Sequence, residues 1–181
     1  MQNHKNRKLN RLKEYDYSQE GLYFITICAN NRECFFGDIR NAKMELSEIG
    51  EIAQACWEEI PSHFPNVILD EYNIMPNHIH GIVIIENPVG NKNFCSLPYF
   101  CSLQIPWQTK WARSLSSIVR GFKIGVTKLC RENNFGQFSW QKSYYDHIIR
   151  NENSLNKIRE YIINNPSKWE FDRNNSENLW M

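Results

Sequence analysis

The stretch VILDEYNIMPNHIHGIVIIE, residues 67 to 86, decides the fold. Val67 to Met75 and Ile79 to Glu86 are apolar, β-branched runs, and Pro76-Asn77 between them supplies turn chemistry, which predicts an antiparallel hairpin. Alternate side chains of a strand share a face, so His78 and His80 can turn both imidazoles toward one cation. Taken alone, such a pair also suits two half-buried structural histidines. Its place at a strand mouth beside an open turn is what favours a site, because the strand fixes ring direction while the turn leaves the metal accessible.

Upstream, Tyr23 to Cys28 is β-branched and aromatic between Gly21 and Asn30-Asn31, and reads as a buried strand. From Ser47 the apolar residues Ile49, Ile52, Ala53, Cys56, Trp57 and Ile60 recur at helical spacing until Pro61. Downstream, residues 87 to 113 change character, with Gly and Pro turns, several aromatics and no acid, and read as an insertion or long loop. Ser114 to Cys130 is an amphipathic helix, Phe138 to Ile149 is extended, and Glu152 to Asn164 is helical with Leu155, Ile158 and Ile162 as its stripe. Pro166 is expected to end that helix and to turn Asn165 away from helical dihedrals. The order strand, helix, strand, strand, helix, strand, helix predicts an α+β fold. Specifically, it predicts a ferredoxin-like (RRM-like) sandwich, an antiparallel sheet with helices on one face, plus an extra C-terminal helix.

Composition agrees with one domain. The chain has 181 residues, 41% hydrophobic and 23% charged, enough for a core and too short for two independent ones. A net charge of +1 gives no bulk electrostatic case for a polyanion, so any such binding rests on local patches. The six cysteines contain no CxxC pair, which argues against a zinc ribbon or finger. The polar, basic start has no apolar signal core and no run approaches the ~20 residues of a bilayer span, so no membrane partner is expected and the cytoplasm is the expected compartment.

Tyr161 and Asn165 are four residues apart near the end of the last helix and project to one side. An Asn carbonyl is a hard oxygen ligand. Equally, Tyr161 extends the apolar stripe and Asn165 is a common helix-ending residue before proline. A basic arm over 1 to 14, with Lys5, Arg7, Lys8 and Arg11, is expected to be flexible. Arg120, Lys123, Lys128 and Arg131 make a basic helix face; such combinations of cations and aromatic rings bind single-stranded nucleic acid, although a basic helix face is often only solvated. His147, after Asp146, is a candidate to support the metal ligands or to touch DNA.

Several motifs together resemble one family. They are Tyr15-Asp16-Tyr17, Cys34-Phe35-Phe36-Gly37, Asn73 to His80, Trp140-Gln141-Lys142-Ser143 leading to Asp146-His147, and Tyr161-Ile162-Ile163-Asn164-Asn165-Pro166. The conjunction looks like the single-tyrosine HUH transposases of the insertion-sequence-200 type, specifically their REP-associated tyrosine transposase branch. Residues 90 to 108 have no counterpart in that pattern. The resemblance implies a single domain over 15 to 178 with His78 and His80 as the metal-binding pair, Asn165 as third protein ligand and Tyr161 as nucleophile. It implies single-stranded or hairpin DNA as partner, a protein that is nucleoid-associated when DNA-bound, and a monomer or homodimer.

The implied chemistry is coherent. Phosphodiester cleavage needs charge stabilisation on the nonbridging oxygens and an in-line nucleophile, and two imidazoles with an amide oxygen suit Mg²⁺ or Mn²⁺. Attack by the phenol would leave a 5′-phosphotyrosine and a free 3′-OH. A histidine-triad hydrolase would want a third histidine where Ile82 stands, and two-histidine phosphoesterases want two separate His-x-Ser/Thr motifs. Two rival readings stand: a non-catalytic nucleic-acid-binding module on a ferredoxin-like sheet, and a hydrolytic metal-dependent nuclease with no covalent intermediate.

Overall fold

The computed structural model describes residues 15–86, 114–172 and 174–175. The expected arm, with Lys5, Arg7, Lys8 and Arg11, and the expected insertion at 87–113 lie outside the described residues. The architecture is mixed α/β. In chain order it runs through strands β1 (Gly21–Cys28), β2 (Gly37–Arg40) and β3 (Lys43–Leu46), helices α1 (Glu48–Glu58) and α2 (Ile60–His63), and strands β4 (Val67–Met75) and β5 (His78–Ile85). Helix α3 (Leu115–Glu132), strand β6 (Tyr145–Ile149) and helix α4 (Glu152–Asn164) complete it, followed by a 3₁₀ segment, Pro166–Phe171. No helix among the described residues is long and apolar enough to cross a membrane.

The main sheet has the order β4-β5-β1-β6, and every neighbouring pair is antiparallel. The hairpin read from residues 67 to 86 is present, with Met75 opposite His78. Side-chain alternation then assigns two faces. Tyr23, Ile25 and Ile27 of β1 and Ile79, Val83 and Ile85 of β5 join one core with Trp57 of α1 and Leu115, Ile118 and Phe122 of α3. Leu22, Phe24, Ile82, Ile84 and Ile149 form a second core with Leu155, Ile158 and Ile162 of α4. Because both faces are covered, β1 and β5 read as continuous apolar runs rather than as alternating ones. Gly81 is required where β5 meets α1: a Cβ there would stand 2.2 Å from Cζ2 of the fully buried Trp57.

Four local readings need correction. The segment 37–46, for which no strand is expected, forms the β2–β3 hairpin; its strands alternate charged with apolar residues, but each is only four residues long, too short for the alternation to stand out. Pro61 does not terminate the helical region but sits in the first turn of α2. Likewise Asn165 keeps helical dihedrals (φ −59, ψ −44) before Pro166, because Pro166 opens the 3₁₀ segment and its fixed φ suits the first position of a new turn. The extended reading of 138–149 holds as a strand only over Tyr145–Ile149, with Trp140 making an isolated bridge to Ala29.

Helix α4 is pinned to β4 by polar contacts as well as by its apolar stripe. Arg159 engages Asp70 with both Nε and Nη2, the Nε–Oδ1 distance being 2.9 Å, and Asn73 Nδ2 donates to Ile162 O at 3.3 Å.

Candidate functional site

His78 and His80 lie at the start of β5 on the α4 side of the sheet, both fully buried. Their Nε2 atoms face one another at 2.8 Å. Each ring is held from behind. His80 Nδ1 is 2.9 Å from Thr26 Oγ1, its directly opposite neighbour on β1. His78 Nδ1 is 2.9 Å from Asn77 Oδ1. Asn77 Nδ2 donates to Arg32 O at 3.0 Å and Asn174 O at 2.8 Å, so Oδ1 is an acceptor and His78 Nδ1 carries the proton. That tautomer leaves the His78 Nε2 lone pair directed at His80. Two such nitrogens this close repel unless a proton or a cation lies between them.

Tyr161 approaches from α4. Its hydroxyl is 3.2 Å from His80 Nε2 and donates to Asp172 Oδ2 at 3.4 Å, while its ring meets Phe24 edge-on. At 41% exposure, Tyr161 is open to solvent beside two histidines that are not. Asp172 follows the 3₁₀ segment, and its Oδ1 accepts from Asn174 N at 2.6 Å. Trp169 of that segment covers His78 at 6.0 Å between ring centroids. His78, His80 and Asp172 can hold a metal: one ligand atom from each lies within 4.8 Å of the others.

The donor set fits a hard divalent cation. Two imidazole nitrogens oriented by hydrogen bonds to their far sides are the usual preparation of metal-binding histidines, and a carboxylate adds charge. Asn165, one turn beyond Tyr161, is 2% exposed, and neither its side-chain oxygen nor its nitrogen has a hydrogen-bond partner among the described residues. A buried amide costs free energy unless something satisfies it, and a cation on its oxygen would.

The remaining sequence candidates fall elsewhere. Arg120, Lys123, Lys128 and Arg131 line a groove of about 760 Å³ between α3 and residues 142–144. Lys123 is engaged inside the protein: Nζ donates to Gln141 O at 2.8 Å and to Ser143 O at 3.2 Å, and burial lowers its pKa to about 8. His147 is exposed on β6, opposite Phe24 of β1, and is not part of the histidine–carboxylate cluster. Sequence reasoning missed Asp172 and Thr26. Thr26 follows from the strand pairing once the register is known, but Asp172 sits in a polar run without periodicity and reaches the site only because the 3₁₀ segment turns the chain back.

No family model matches the chain. An uncharacterized protein of Haemophilus influenzae is 49% identical over 168 residues, which span 92% of this chain and 92% of that protein. A second Haemophilus influenzae protein, named as a REP-associated tyrosine transposase, is 25% identical over 154 residues, covering 84% of this chain and 74% of its own length. Among solved structures, a REP-associated tyrosine transposase bound to a REP hairpin superposes with a TM-score of 0.60 at 17% identity, over 91% of this chain and 77% of that one.

Proposed function

The chain belongs to one family with its close Haemophilus relative and resembles the REP-associated tyrosine transposases, and on that premise we propose that it is a metal-dependent single-stranded DNA endonuclease and strand transferase. The observation that carries the proposal is the meeting of Tyr161 Oη with His80 Nε2 at 3.2 Å, beside a histidine pair and a carboxylate able to hold a metal. A tyrosine in a structural role on α4 has no need of its hydroxyl there.

In this reading His78, His80 and Asn165 would hold Mg²⁺ or Mn²⁺, with Asp172 able to contribute a further oxygen, and the bound ion would supply charge stabilisation to the nonbridging oxygens of a phosphate. Tyr161 Oη loses its proton and attacks phosphorus; the P–O3′ bond breaks, the 3′ oxygen takes up a proton and leaves as a hydroxyl, and a 5′-phosphotyrosine forms with no net change in protons. Asp172 Oδ2 accepts the phenolic hydrogen bond and orients the nucleophile. Thr26 and Asn77 fix the directions of the two imidazoles.

Hairpin DNA is the substrate the reading favours, since the transposase of similar fold is bound to a REP hairpin. Of the four cations on the basic face of α3, Arg120, Lys128 and Arg131 remain for phosphate, Lys123 being engaged by Gln141 O and Ser143 O. The main sheet, taken in chain order as second, third, first and fourth strands with α1 and α3 on one side, supports a ferredoxin-like sandwich, and α4 on the other side is then the added helix carrying the tyrosine.

The test is a denaturing gel of the protein with 5′- and 3′-labelled hairpin DNA and Mn²⁺. A covalent protein–DNA band on the fragment that carries the 5′ phosphate is the expected result. Cleavage without that band would identify a hydrolytic nuclease, and binding without cleavage a non-catalytic module.

A further inference from the structure

The groove on α3 and the metal site lie on opposite faces of the same sheet, yet one continuous stretch, residues 142–149, lines the first and runs beside the second. Residues 142–144 form the groove wall facing α3, and Lys142 there joins Arg120, Lys128 and Arg131 in lining it. Glu132 is the one acid among the lining residues and is paired with Lys128 at 3.9 Å. Lys123, donating to Gln141 O and Ser143 O, ties this wall to the helix. The chain then enters β6, an edge strand of the sheet among the described residues.

On β6 the side chains alternate between faces. Tyr144 is buried in the core on the helix side, whereas Tyr145 and His147 are exposed on the side that carries α4 and the histidines. The register makes the connection specific. Tyr145 is opposite Thr26, and Thr26 is opposite His80, so Tyr145, Thr26 and His80 form one cross-strand row. At about 4.8 Å per strand, Tyr145 stands roughly 10 Å from the metal-site histidine. His147 is opposite Phe24, whose ring stacks on His80 at 5.3 Å. Tyr145 is 38% exposed, which leaves part of its ring open for stacking.

We infer that a single strand of DNA reaches the metal site over the β6 edge, with phosphates held in the α3 groove and bases stacked on Tyr145 and His147. The inference rests on the proposed function for what happens at the end of that path, but the path itself is a binding claim. Cations along a groove followed by exposed rings is the arrangement by which proteins hold single strands without reading their sequence. A closed duplex cannot wrap a sheet edge, so the strand crossing it is the single-stranded flank of a hairpin.

The experiment compares two probes, a blunt DNA hairpin and the same hairpin with an all-thymidine single-stranded extension, each titrated by fluorescence anisotropy in EDTA. Y145A and the double variant Y145A/H147A should lose about tenfold in affinity for the extended probe and nothing for the blunt one, with Y145F near wild type. Both side chains are exposed, so these variants should fold, which circular dichroism checks. With 4-thiothymidine in the extension, irradiation should crosslink to the peptide containing residues 145 and 147. Equal losses on both probes, no loss on either, or a crosslink mapping elsewhere would overturn the path. Since EDTA removes cleavage from the measurement, failure of the transposase chemistry would show only in the labelled-DNA gel and leave this result standing.

Discussion

Thr26 Oγ1 lies 2.9 Å from His80 Nδ1, a buried contact between directly opposed residues of β1 and β5. It fixes the ring that also meets Tyr161, so one hydroxyl on the middle of the sheet sets the direction of the imidazole proposed as a metal ligand and of its contact with the tyrosine. Partners of this kind are worth about 10–100-fold in metal affinity. T26V, close in shape, should therefore weaken Mn²⁺ binding by about that factor in calorimetry while leaving the circular dichroism spectrum intact. Unchanged affinity would mean that packing alone orients His80.

The clamp between Arg159 and Asp70 carries a pH signature. The guanidinium bond holds the Asp70 carboxyl below its ordinary range. A carboxylate with a depressed folded pKa contributes stability above its unfolded value, and that contribution is lost as pH falls through the folded value. R159Q should thus lower the urea midpoint modestly at neutral pH, and the gap between wild type and variant should close in acid below about pH 4. A gap that persists there would assign the effect to packing of the arginine stem.

Much of this was legible in the sequence, for stated reasons. The 67–86 hairpin, the first strand, α3 and α4 announce themselves because long apolar patterns and a Pro-Asn turn dominate their local energetics. His78 and His80 were visible because a strand has period two. Asp172 was not, since its contribution depends on the six-residue 3₁₀ segment Pro166–Phe171 folding back over His78, and no spacing rule encodes that. Lys123 was misread in part: as one cation on a helical wheel it belongs to the basic face, but its position against the carbonyls of Gln141 and Ser143 turns it inward.

Lys123 gives a pH dependence of the same sign in an alkaline window. Burial lowers its pKa from an ordinary 10.5 to about 8. Between those values the unfolded chain binds the extra proton, so stability rises with pH, by at most about 1.4 kcal/mol for each unit. K123M removes that slope. The difference in urea midpoint between wild type and K123M should therefore move in favour of wild type between about pH 8 and 10.5, while other groups titrating in that range cancel in the comparison. A difference independent of pH would mean that the two carbonyls keep the ammonium fully charged.

The sharpest test is Y161F. The ring of Tyr161 contacts Phe24 and His80, and removing one hydroxyl leaves those contacts and the volume of the side chain in place, so a purely structural tyrosine predicts a nearly silent substitution. The nucleophile reading predicts that Mn²⁺ affinity and hairpin affinity survive while cleavage and the covalent protein–DNA band both vanish, because the attacking atom is gone and electrostatic stabilisation has nothing to act on. A hydrolytic enzyme predicts a third pattern, cutting retained in Y161F and no covalent band in either protein. The hydroxyl also touches His80 Nε2 and Asp172 Oδ2, so loss of cutting by itself could reflect a disturbed metal site. Measuring Mn²⁺ affinity in the same preparation removes that ambiguity: a variant that binds metal and hairpin like wild type but forms no adduct has lost only its nucleophile, and mass spectrometry of the wild-type adduct should then locate the DNA on the peptide containing Tyr161.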